Sequence, residues 1–217
     1  MRWPRCGTHQ GEEKLPEMAK TYVRVVDAMN RRVGRVAMYL LFGMMGVLLW
    51  SSISKTFFNP SLWTLEMAQF AMVAYYIMGG PYSIQLGSNV RMDLFYGGWS
   101  DKKKAQVDAI TILFLLFYLG VLLVGGVSST AYSLGHYSGE PFTFFGNLAY
   151  SFITGGISGA EEVLGRMERN STAWRPMIWP IKSIMVVGIF LMLLQAVSEL
   201  FKDLEKIRAT KNHDEAI

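Results

Sequence analysis

Long apolar runs separated by charged stretches dominate the chain. Three runs are long enough, at roughly 20 residues, to cross a bilayer core as helix. They are Gly34–Ile53, Ala105–Val127 and Met177–Leu200. A fourth run, Leu65–Leu86, holds Glu66, Gln69 and Gln85 near its ends, but keeps an apolar centre in Phe70–Gly80. A helix satisfies its own backbone in lipid, so all four runs are expected to be helices. The pattern therefore predicts an all-α integral membrane protein with four spans, at about 34–53, 65–87, 105–127 and 177–200. Residues 1–33 form an N-terminal segment expected to be partly disordered, and 201–217 form a charged tail that continues the last helix. Residues 128–176 form a long loop between the third and fourth spans.

Composition agrees. Hydrophobic residues make up 51% of the 217 and charged residues 18%, where a soluble domain carries roughly 25% charge. The net charge of +4 points to nucleic acid only if it lies on a soluble face, and here it lies between apolar runs. Sixteen of the 21 lysines and arginines fall before or at the very start of the first span, between the second and third, or after the fourth. The remaining five are Lys55, Arg166, Arg169, Arg175 and Lys182. Positive residues favour the cytoplasmic side, so both termini are expected there and the long loop outside. The first apolar run is too long for the core of a signal peptide and no small-residue cleavage site follows it, so it reads as an uncleaved anchor.

Local signals refine this frame. Asn59-Pro60 reads as the cap and first turn of the second helix. Glu66 then lies near a positive helix end, as an interfacial acid or a contact to a partner, and Trp63 fits an aromatic belt. Gly79-Gly80-Pro81 predicts a kink inside the second span. In the long loop, the aromatic stretch from Pro141 to Ala160 is too rich in Gly, Asn, Ser and Thr for a fifth span. It reads as a segment lying on or dipping into the interface. Ala160–Asn170 reads as a short surface helix. Trp174, Pro176, Trp179 and Lys182 mark the membrane boundary where the fourth span begins. Gln195 lies inside that span, where an amide seeks a partner on a neighbouring helix.

Some chemistry is missing from the sequence. His9, His136 and His213 all lie outside the spans, so no histidine pair can hold a membrane haem. There is no GxxxxGK[ST], HExxH, CxxC or GxSxG, and no span carries a central charge. The sequence contains no catalytic constellation, and neither a cofactor nor a metal is expected in this chain.

The order of these features resembles the small membrane subunit of tripartite ATP-independent periplasmic (TRAP) transporters, the DctQ family. Trp63–Glu66 and Asn89-Val90-Arg91-Met92-Asp93 carry part of the likeness. Asn89 and Met92 stand where the family commonly has His and Val. A second block, Asn170–Pro176 followed by Trp179-Pro180-Ile181-Lys182 and Leu194-Gln195, is similar to the branch labelled mannitol/chloroaromatic-type. The resemblance spans residues 25–205, and the segment around 137–169 is longer than the family leads one to expect. It implies a bacterial inner-membrane subunit that braces a much larger membrane subunit, which holds the sodium and substrate sites. It also implies a role in docking a periplasmic substrate-binding protein that delivers organic acids or related solutes. Trp63, Glu66, Asn89, Arg91, Asp93, Trp174, Pro176, Trp179, Lys182 and Gln195 are then candidate partner-contact or motif residues, and Gln69 joins Glu66 and Gln195 as a candidate for bonds between subunits. The rival readings are a self-sufficient small multidrug-type exporter and a four-span assembly protein outside transport.

Overall fold

The computed structural model describes residues 17–59, 61–86, 101–137 and 139–215. Five helices are present among them: α1 (Glu17–Phe57), α2 (Thr64–Gln85), α3 (Asp101–Ser133), α4 (Pro141–Val163) and α5 (Trp179–Glu215). Glu17–Phe57, Ile110–Ser133 and Trp179–Glu205 are long and apolar enough to cross a membrane. These helices contain or overlap the first, third and fourth runs read from the sequence. The second run also folds as a helix, but α2 is shorter and more polar and does not reach that threshold. The expected readings of residues 1–16 and of 87–100, including Asn89, Arg91 and Asp93, lie outside the described residues.

α1 and α2 pack antiparallel, as do α3 and α5, and α2 joins the two pairs by packing against α5. Small residues set how closely they approach. A Cβ at Gly34 would lie 2.6 Å from the Tyr82 side chain, and one at Gly80 would lie 2.6 Å from the Met192 sulfur. A Cβ at Gly188 would overlap Ile77. Between helices in lipid there is no hydrophobic drive to associate, so such close backbone contact carries much of the packing. The kink expected at Pro81 does not interrupt α2. The helix runs through it to Gln85. Pro81 has no N–H to offer the Ile77 carbonyl. That carbonyl faces Gly188, where an added Cβ would stand only 3.1 Å away.

Three local expectations are corrected. α2 begins at Thr64 rather than at Asn59-Pro60, and Trp63 caps it without a side-chain bond. The Asn59 carbonyl instead accepts a hydrogen bond from Ser54 Oγ at 2.8 Å, and Thr64 Oγ1 bonds Ser51 Oγ at 3.1 Å, so the turn belongs to the end of α1. The aromatic stretch from Pro141 is a helix of 23 residues rather than a loop segment, broken at Gly156 (φ 64°, ψ −146°). That backbone conformation is essentially open to glycine alone. Finally, no helix forms over 160–170 beyond Val163. Leu164 turns extended, Gly165 N–H donates to Leu134 O at 3.1 Å, and Glu168 N–H donates to Ser133 O at 3.0 Å. Bonds to the end of α3, some 30 residues back in the chain, outweigh the local helical tendency of Ala-Glu-Glu-Val-Leu.

This seam depends on two glycines. Gly135 (φ +91°) and Gly165 lie so close that a Cβ on either would stand about 2.5–2.6 Å from the other's backbone. Gly135→Ala is therefore expected to destabilise the protein by about 2 kcal/mol or more, because it adds a backbone clash to a positive φ. Thermal melting in detergent, compared with Gly125→Ala, whose Cβ would meet nothing within 4 Å, checks it.

Candidate functional site

Two polar constructions stand out, one at each end of the bundle. At the end carrying the start of α1 and the second half of α5, Gln195 is 0% exposed. Its carbonyl accepts from Asn30 Nδ2 at 2.6 Å, and its amide donates to Asp27 Oδ1 at 2.9 Å and to Glu199 Oε1 at 3.0 Å. Lys202 Nζ bridges Asp27 Oδ2 (2.9 Å) and Glu199 Oε1 (2.8 Å). Ser198 Oγ donates to Asp27 Oδ1 at 3.3 Å, and Gln85 Nε2 reaches the Asp27 carbonyl at 3.3 Å. Asp27 thus joins α1, α2 and α5. Tyr22 adds a bond to the Leu194 carbonyl at 3.1 Å and an edge-on contact with Phe201. The sequence reading anticipates that Gln195 needs a partner on a neighbouring helix. The structure supplies that partner within the chain, so the buried amide is not left to bond another subunit. Asp27 and Asn30 escape the sequence reading because they precede the run taken as the first span. The signal that finds them is the stripe Val26, Asn30, Gly34, Ala37, buried at helical spacing on one face of α1.

The other candidates are spread over the opposite end. Glu66 is 3% exposed, and its Oε2 has no hydrogen-bond partner. It lies in the first turn of α2, where the free backbone N–H groups favour a carboxylate. Gln69 and Trp63 face outward, Trp63 at 39% exposure. Lys182, on the first turn of α5, pairs with Glu168 Oε2 at 2.8 Å and donates to the Ser129 carbonyl at 3.2 Å. It therefore ties α5 to α3 and to the segment after α4. Trp179 packs at the edge of the Ala131–Leu134–Phe144 cluster, with its Nε1 lacking an acceptor. Trp174 is exposed, and Pro176 is half-buried with its carbonyl accepting from Asn170 N–H at 2.9 Å.

Residues 166–177 fold into a tight return closed by an Arg169–Met177 bridge, with Arg175 held at a positive φ of 50°. This return forms one wall of a cavity of about 660 Å³. Arg166, Arg169 and Arg175 all line it, with Tyr132 and Tyr137 opposite. No signal in the sequence brings these arginines together, because their grouping depends on the Gly135–Gly165 contact. No group of His, Cys, Asp and Glu side chains among the described residues is arranged to hold a metal.

The architecture is that of a helical membrane protein in which polar chemistry serves helix joints and surfaces. Residues 44–144 match the family described as Tripartite ATP-independent periplasmic transporters, DctQ component. Over that span the chain is similar to the DctQ-type small membrane subunits of TRAP transporters. The matched residues run from the middle of α1 through α2 and α3 to the first turn of α4. Neither a curated protein nor a solved structure matches the chain.

Proposed function

We propose that the chain is the small permease subunit of a sodium-coupled TRAP transporter, crossing the bacterial inner membrane four times with both termini in the cytoplasm. In this reading α2 crosses the membrane as the second span, packed against α1 and α5. The chain braces the large membrane subunit, which carries the sodium and substrate sites, and helps dock a periplasmic binding protein delivering organic acids or related solutes. The observation that carries the reading is the DctQ match laid over α1–α3, helices whose outward sides remain apolar and exposed. On α3 these include Leu113, Phe114, Phe117, Val121 and Val124, a surface suited to lipid or to the helices of a larger partner. The charged groups of the Asp27 joint are paired with one another within the chain, as suits a brace.

The test is purification of the tagged chain from its native membrane in mild detergent, with mass spectrometry of co-purifying proteins. A large polytopic membrane protein of roughly a dozen spans is expected. A clean homodimer with no such partner, together with transport by this chain alone in liposomes, would overturn the reading.

A further inference from the structure

The groove lined by Arg166, Arg169 and Arg175 lies beyond the residues matched to the family, except for its Tyr132 and Tyr137 wall. We propose that it is a binding site for the phosphate headgroup of an anionic phospholipid.

The charge is concentrated and unspent. All three arginines are exposed, and none has an ion-pair partner among the described residues. The carboxylate that also lines the groove, Glu168, is held by Lys182 at 2.8 Å. A guanidinium fork matches phosphate oxygens in paired hydrogen bonds, and exposed arginines without counter-charges are free to make them. The cavity of about 660 Å³ falls in the range of sites for small ligands, roughly 300–1,000 Å³.

The surroundings favour a lipid over a soluble acidic partner. The groove sits where α3 ends and α5 begins, at the boundary of two helices long and apolar enough to span the membrane. Its walls mix arginines with the rings of Tyr132 and Tyr137, which stand edge to face at 5.0 Å, and with Met177. The same two tyrosines line a second cavity of about 160 Å³ that reaches Pro141 at the start of α4. Along α4, Phe142, Tyr150, Phe152, Ile153 and Ile157 are all exposed, Ile153 at 81%. A broken helix with so much uncovered apolar surface belongs at a membrane interface. Cation, aromatic and apolar surfaces thus follow one another along this end of the bundle, matching an amphiphile with an anionic head.

The experiment uses the full chain in a non-ionic detergent, with native mass spectrometry after mixing with equal amounts of phosphatidylglycerol and phosphatidylcholine. Wild type is expected to retain phosphatidylglycerol preferentially. Arg166→Gln with Arg169→Gln is expected to cut that retention by about fivefold for each arginine removed. The same positions changed to lysine should keep most of the preference, and Arg31→Gln with Arg32→Gln on α1 should leave it unchanged. Melting temperatures of all variants report folding independently, and Arg169→Gln alone serves if the double variant is unstable. Equal retention of the two lipids, or a preference indifferent to Arg166 and Arg169, overturns the proposal. Displacement of the lipid by millimolar inorganic phosphate or glycerol phosphate assigns the groove to a soluble anion and also overturns it. So does an unchanged lipid preference coupled to loss of an acidic soluble protein from the native pull-down, which would make the groove a protein-docking site.

Discussion

Gln195→Leu is expected to destabilise the helix bundle by about 2–4 kcal/mol. The substitution is close to isosteric, so the cost arises from the bonds and not from a cavity. Three bonds disappear together: the one accepted from Asn30 and the two donated to Asp27 and Glu199. Interhelical hydrogen bonds in membranes average about 0.6 kcal/mol and reach about 1.7. Here the loss also leaves Asn30, fully buried and with its Oδ1 already unpartnered, with no hydrogen bond to another side chain. A buried amide stranded in this way costs about 1–3 kcal/mol. Asp27 suffers less, because Lys202 and Ser198 still reach it. Asn30→Leu combined with Gln195→Leu should recover part of the loss, since both stranded groups are then gone. For a chain of this size each kcal/mol moves the melting point by about 2–4 °C. A single variant melting within about 1 °C of wild type would show that the joint contributes little.

Gly188→Val should be comparably damaging for a different reason. A Cβ at Gly188 already overlaps Ile77 Cγ2 and crowds the Ile77 carbonyl, so a branched side chain must push α2 and α5 apart. Overpacking of this kind costs about 1–3 kcal/mol, and here it also uncovers the carbonyl left without a donor by Pro81. Gly188→Ala should cost less, and Gly188→Ala with Ile77→Ala should regain at least half of that, because the methyl group in the way is removed. Gly120→Ala, where an added Cβ meets nothing within 4 Å, should be neutral or slightly stabilising from helix propensity alone. If Gly188→Val and Gly120→Ala melt alike, close approach of α2 and α5 is not what holds them together.

The spans of α1, α3 and α5 are legible because bilayer crossing imposes a length and a composition that sequence displays directly. α4 is not, because its Gly, Asn, Ser and Thr argue against a buried span while leaving open a helix on a surface, and its break needs only Gly156. The end of that helix at Val163 is invisible locally, because the bonds that stop it come from Ser133 and Leu134. The same holds for the candidate sites. Gln195 announces itself as an amide among leucines. Its partner Asp27 sits among arginines and lysines, where an acid looks like ordinary surface. The three groove arginines appear in the sequence only as a minority on the less basic side, and it takes the Gly135–Gly165 contact to draw them around one cavity.

The Asp27 joint also orders events during synthesis. Asn30 and Gln195 are 165 residues apart in the chain. At about 5–20 residues per second, Asn30 emerges from the ribosome roughly 8–33 s before its partner. For that interval the buried face of α1 must be shielded by water, lipid headgroups or the insertion machinery. The bundle is therefore latched by the last helix made. A chain cut short before α5 keeps α1 to α4 but leaves Asp27 and Asn30 without the α5 side chains that bond them, so an unfinished subunit differs from a complete one in exposing these two polar groups.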